Sequence, residues 1–74
     1  MNSFSNRLLE LSKRALLNEE QIIKEEKNYQ DELFSDAPVK KLIGIRENIT
    51  WLQRKQWLFN GAIQMRMSRM AVEV

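Results

Sequence analysis

The sequence predicts an all-α protein built as an antiparallel hairpin of two long helices. One proline and two glycines occur in 74 residues, and 30% charged residues alternate with 43% hydrophobic ones. That composition is typical of long amphipathic helices. On both sides of one break, apolar residues recur at alternating spacings of three and four. We expect one domain over 1–74, with helices over about 4–34 and 39–71 joined by a turn at 35–38.

A heptad pattern predicts the first helix. Its seam, the line of positions that faces a partner helix, has alternating spacings of four and three residues. The seam consists of Phe4, Leu8, Leu11, Ala15, Asn18, Ile22, Glu25 and Tyr29. Two of these residues, Asn18 and Glu25, are polar, and an antiparallel alignment of the two seams leaves Glu25 opposite Ile49 without an explanation.

The stretch LLNEEQII, residues 16–23, allows a second interpretation of the first helix. Asn18 is a good N-cap, Gln21 can complete a capping box, and Leu17 with Ile22 can form a hydrophobic staple. These signals favour a kink or a split at Asn18, whereas the uninterrupted heptad pattern favours one continuous helix. The sequence leaves both open.

The segment FSDAP, residues 34–38, predicts the break between the helices. Ser35 or Asp36 can cap the following helix, and Pro38 suits its first turn because proline lacks the N–H that an interior position needs.

The second helix has a more regular seam, which runs through four heptads. The seam consists of Leu42, Ile45, Ile49, Leu52, Gln56, Phe59, Ile63, Arg66 and Met70. Asn60-Gly61 is a turn or helix-stop signal. We nevertheless expect the helix to continue, because Phe59 and Ile63 extend the seam on both sides of it.

Folding the chain back at the turn places residues whose numbers sum to 74 opposite each other. Asn18 then meets Gln56, so two lone polar residues become one pair, and small Ala15 meets large Phe59. A buried amide pair adds only about 1 kcal/mol, but a shifted alignment would leave its groups unsatisfied. We therefore interpret Asn18 and Gln56 as the pair that sets the register.

The second helix carries more large apolar residues than its seam uses. Trp51, Trp57, Leu58 and Met65 lie outside the seam, and the first helix has a similar excess at Leu9, Leu16, Leu17 and Ile23. Burial of each such side chain is worth about 1.5 to 3 kcal/mol. We expect the hairpin to self-associate into a helical bundle, either a dimeric four-helix bundle or a higher ring.

The residue types narrow the chemistry. The chain has no cysteine and no histidine, which removes thiol nucleophiles, imidazole bases and the usual zinc, haem and iron–sulfur ligands. It has no Gly-rich phosphate loop. We expect a protein that is not an enzyme and needs no cofactor and no metal.

The charge is unevenly distributed between the two halves of the sequence, and this asymmetry has two explanations. Residues 1–36 carry five cations and eight anions, net −3, and residues 37–74 carry seven cations and two anions, net +5. Attraction between the two helices is one explanation, and an interaction surface is another.

The uncharged run over residues 56–65 is about half of what a membrane span needs. We expect a cytoplasmic protein without a membrane partner.

Three functions remain in view, and one of them is a purely structural assembly module. The first is binding and modulation of another protein, with Trp51, Trp57, Leu58 and Met65 as anchors, since tryptophan is enriched in interface hot spots. The alternative is an oligomer that binds a nucleotide or single-stranded nucleic acid through Arg46, Arg54, Lys55 and a tryptophan. In layout, a short helical lead plus an oligomerising hairpin is similar to small phage proteins that inhibit host factors or sequester cyclic nucleotides, and this resemblance implies a mobile-element accessory protein. That likeness is not matched position by position, so it implies no site.

Overall fold

A computed structural model describes the backbone of residues 3–73 and the side chains of residues 6–69. The chain forms two helices, α1 (Ser3–Phe34) and α2 (Val39–Glu73), which pack against each other as an antiparallel hairpin. The hairpin is a rod of 56 × 16 × 13 Å. The predicted all-α antiparallel hairpin is confirmed, with α2 two residues longer than expected. The seam side chains of Phe4 and Met70 lie outside the described residues.

The alternative of a split at Asn18 is wrong, because α1 is one helix without interruption from Ser3 to Phe34. An N-cap side chain accepts a hydrogen bond from its own helix. Asn18 instead directs its amide across to the second helix, where Nδ2 donates to the Leu52 carbonyl oxygen at 2.8 Å. A residue that favours caps is therefore used for a tertiary contact, and the heptad pattern prevails.

The turn ends α1 in a Schellman motif. Asp36 has a φ of 58°, in the left-handed region. The Ala37 N–H donates to the Glu32 carbonyl at 3.0 Å, and the Asp36 N–H donates to the Leu33 carbonyl at 3.3 Å. These two bonds satisfy carbonyls that a helix end otherwise leaves free.

The predicted capping role of Ser35 or Asp36 in α2 is not what the structure shows. Ser35 Oγ donates back to the Asp31 carbonyl at 2.8 Å, so both residues complete the end of α1. Pro38 directly precedes α2, and its carbonyl accepts from the N–H groups of Lys41 and Leu42 at 3.0 and 3.2 Å. Proline is suited to this place, since an N–H here would have no helical acceptor.

The core is thin and concentrated half-way along the hairpin. Among the described side chains, Ala15, Ile49 and Leu52 form the buried apolar core at 6 to 9% exposure, and Asn18 is buried beside them. The other described seam positions are half-buried. Two helices can enclose only the line between them, so the stability of a single hairpin rests on a few central contacts.

Helix α2 passes through Asn60-Gly61 without a break, as the seam predicted. Apart from the adjoining residues and the nearby backbone of α2 itself, no atom lies within 4 Å of where a Cβ would stand on Gly61. The glycine therefore leaves open space on the helix surface in this single copy, and nothing within the hairpin requires it.

Candidate protein-binding surfaces

The four residues predicted to anchor a partner are all more than half exposed. Trp51 is 59% exposed, Leu58 62%, Met65 65% and Trp57 75%. Tryptophan is highly buried on average in folded proteins, so two indoles in this state are unusual. The seam uses one side of α2, and these side chains are on the other.

These anchors fall on two lines of the outer face. Trp51, Leu58 and Met65 are seven residues apart and form one line, which we call the α2 outer stripe. At about 100° per residue, Trp57 lies roughly a quarter turn away from Leu58. The α2 surface that faces away from α1 is thus apolar on both edges.

Two open grooves follow this outer face. One of about 390 Å³ is lined by Ile43, Arg46, Glu47, Thr50, Trp51 and Arg54. The other, of about 830 Å³, is lined by Trp57, Leu58, Gly61, Ala62, Gln64, Met65, Ser68 and Arg69. The predicted anchors are therefore divided between two neighbouring grooves, with Trp51 in one and the other three in the second.

The structure separates the residues predicted for nucleotide binding. Arg46 and Arg54 line the first groove together with Trp51, but Lys55 does not line it. Glu47 is also part of the lining and adds a negative charge. A phosphate in this groove would meet two cations and one anion, which weakens the electrostatic attraction that such ligands need.

Polar contacts along the seam fix the alignment of the helices. Asn18 and Gln56, the predicted register pair, are hydrogen-bonded, with Asn18 Nδ2 donating to Gln56 Oε1 at 2.9 Å. Glu25, which the seam pattern did not explain, accepts from Asn48 Nδ2 at 3.3 Å. Nearer the turn, Lys41 Nζ lies 3.1 Å from a Glu32 carboxylate oxygen. The partners in each pair have numbers that sum to 73 or 74.

Helix α1 also has an exposed apolar line. Leu9, Leu16 and Ile23 are spaced by seven and are 57 to 64% exposed, and we call them the α1 outer stripe. Leu17 is exposed at 64% on a different side of the helix. The excess of apolar residues is thus shared by both helices.

Sequence reasoning missed an apolar group at the turn end of the hairpin. Phe34 is 86% exposed and Val39 70%, and Leu33 is also exposed. The signal was present, since FSDAPV places apolar residues on both sides of a turn that has no seam position to bury them. These residues add a small apolar tip to the hairpin.

Within the described residues, no group of three or more acidic, histidine or cysteine side chains is placed to hold a metal ion. Neither helix contains a stretch long and apolar enough to cross a bilayer within the part of the chain that the structure describes. No protein-family model, no curated protein and no solved structure matches this chain.

Proposed function

We propose that this chain is a self-associating helical protein without enzymatic activity, which binds and modulates another protein through the outer face of α2. The observation that supports this most strongly is the exposure of Trp51 and Trp57 on one helix. Truncation of a central aromatic anchor commonly costs 2 kcal/mol or more of binding energy. Exposed indoles on a small rigid rod fit that use.

The chemistry of the outer face favours a protein partner. The larger groove is lined by Trp57, Leu58 and Met65 and carries one cation, Arg69. Methionine side chains adapt to an uneven apolar surface, and tryptophan supplies a large rigid one. An apolar patch with few charges is complementary to a protein surface, such as an amphipathic helix, and poorly complementary to a phosphate backbone.

Modulation would occur by occlusion. The hairpin is 56 Å long and presents its grooves along the side of one helix. A partner protein that binds there would have its own contact surface covered, so its other ligands could not bind to that surface. This mechanism needs no chemistry from the chain, which agrees with the lack of cysteine and histidine in its sequence.

The test is capture of a partner by purified wild-type chain and by the variants Trp51→Ala and Trp57→Ala. We expect each variant to weaken capture of the same discrete protein at least tenfold, with unchanged helicity in circular dichroism. Phe34→Ala is the matched control, because it removes an exposed aromatic ring from the turn end. Equal capture by the wild type and both tryptophan variants would refute the assignment.

The alternative function is nucleotide or single-stranded nucleic acid binding at the groove of Arg46, Arg54 and Trp51. Its support is the proximity of two guanidinium groups and an indole. Titration with oligothymidylate at rising salt distinguishes the two functions, because affinity for phosphates falls steeply with ionic strength. Tight salt-sensitive binding that Glu47→Gln strengthens would favour this alternative over a protein partner.

A further inference from the structure

The α1 and α2 outer stripes lie at the same levels along the hairpin. The bonds from Asn18 to Gln56 and from Glu25 to Asn48 align residues whose numbers sum to 73 or 74. By this register, the levels of the two stripes coincide pair by pair: Ile23 with Trp51, Leu16 with Leu58, and Leu9 with Met65. All six side chains are 57 to 65% exposed.

The two stripes also point in opposite directions. Each lies about 130° around its helix from the seam, as follows from 100° per residue and the heptad positions. Because the helices are antiparallel, this offset carries the α1 stripe to one side of the hairpin and the α2 stripe to the other. A single hairpin cannot bring them together.

We propose that a second copy of this chain covers these stripes, with the α1 outer stripe of one copy packed along the α2 outer stripe of the next. This interface rests on the self-association that belongs to the proposed function. Neighbouring copies lie side by side with their turns at the same end. Ile23 of one copy then meets Trp51 of the next. At the following levels Leu16 meets Leu58, and Leu9 meets Met65.

The charges beside the stripes support this pairing. Glu19 and Glu20 flank the α1 stripe, and Arg54 and Lys55 flank the α2 stripe at the same level. In the heptad geometry of an antiparallel pair, Glu19 of one copy faces Arg54 of the next, and Glu20 faces Lys55. The acidic half of the sequence, net −3, is thereby placed beside the basic half, net +5.

A two-fold dimer, in which one stripe packs against the same stripe of a second copy, would account for fewer of these features. It would leave the other stripe of each copy in water, and it would not bring the acidic helix beside the basic one. The side-by-side arrangement covers both stripes of every interior copy. It leaves Trp57 of every copy and the α2 outer stripe of the terminal copy uncovered, so a different protein can still bind at these anchors.

One pair in the proposed interface is unfavourable and gives a sharp test. Glu26 of one copy and Glu47 of the next are like charges at the same level of this interface. Both are exposed in the hairpin. Glu47→Lys should therefore strengthen association severalfold, although it leaves both stripes unchanged.

The main experiment is charge reversal followed by mixing, measured by analytical ultracentrifugation at low salt. Glu19→Arg and Arg54→Glu each place like charges in the interface, so each should weaken association about threefold to tenfold. In an equal mixture, the new cation of the Glu19→Arg variant meets the new anion of the Arg54→Glu variant, and the wild-type pair forms at the next interface. We expect the mixture to regain wild-type association, with circular dichroism unchanged throughout.

Three outcomes would overturn the interface. The first is that Glu19→Arg associates like the wild type, the second that the mixture remains as weak as its components, and the third that Glu47→Lys weakens association. Each would show that the stripes do not meet this way, although the chain self-associates. A wild-type chain that stays monomeric at high concentration would remove self-association itself. Partner capture by Trp57 is measured separately, so its failure is distinguishable from either result.

Discussion

At the residue scale, Asn18 shows how one buried polar group can specify an alignment. It is 6% exposed, and its amide nitrogen donates to both the Leu52 carbonyl and the Gln56 side chain. In an alignment shifted by one heptad, most apolar seam residues would still face the partner helix. Asn18 would then lie opposite Ile49 or Ile63 and lose its bond to Gln56, since the second helix has one glutamine in its seam.

We predict that Asn18→Ala lowers the free energy of unfolding by about 1 to 3 kcal/mol, because two hydrogen bonds are lost at a buried position. Urea unfolding at fixed protein concentration measures this change. The double variant Asn18→Leu with Gln56→Leu is the control. It should equal or exceed the wild type in stability, since replacing both polar partners leaves no unsatisfied group. An unchanged unfolding midpoint for Asn18→Ala would contradict the role assigned to the amide.

Asp36 occupies the position of the turn at which glycine is the preferred residue. Its φ of 58° is one that glycine adopts freely and that a side chain makes less favourable. Aspartate tolerates this region better than most residues, which explains how the Schellman motif forms without glycine.

Substitution Asp36→Gly should raise the free energy of unfolding by about 0.5 to 1 kcal/mol, because the left-handed conformation then costs less. Thermal unfolding followed by circular dichroism would measure the gain. Asp36→Ala separates backbone strain from charge, since alanine removes the carboxylate and keeps the Cβ. A gain of the same size from Asp36→Ala would show that the backbone explanation is wrong.

At the scale of the helices, the seam was predictable because the heptad spacing directly reflects which side chains face a partner. Every described seam position is buried or half-buried, and both helices end within two residues of the predicted bounds. The errors concern capping. Asn18, Ser35 and Asp36 all favour N-caps in isolation, and which hydrogen bond each makes depends on tertiary contacts that local sequence does not contain.

The candidate surface was predictable in part. The excess of apolar residues over the seam identified Trp51, Trp57, Leu58 and Met65, and all four are exposed. The division into two grooves and the exclusion of Lys55 from the first depend on angular position around α2. The sequence interpretation grouped the cations by proximity along the chain, whereas residues one apart on a helix point about 100° away from each other.

At the scale of the whole molecule, the thin core means that stability and association should be linked. Three apolar side chains form the buried core of the described residues, whereas six stripe residues are exposed. Covering the stripes with other copies would bury these six apolar side chains as well. The folded hairpin is then stabilised by the same contacts that join the copies.

The unfolding temperature of the wild type should therefore rise with protein concentration, as mass action requires for a folded state that associates. Scanning calorimetry over a wide concentration range would measure the rise. Trp51→Ala should flatten this dependence, because it removes the largest stripe residue. Val39→Ala, which changes an exposed apolar residue at the turn, should retain it. A wild-type unfolding temperature that is independent of concentration would argue against a shared interface.

The position of the Asn18–Gln56 pair half-way along the rod also bears on how the chain folds. Contacts next to the turn join residues close in sequence, so they cost the least chain entropy and should form first. Pairing then advances outward one helical turn at a time and reaches the amide pair midway. A misaligned hairpin would stall there, with half of its length still open and free to separate, so errors are rejected before the far ends of the two helices have met.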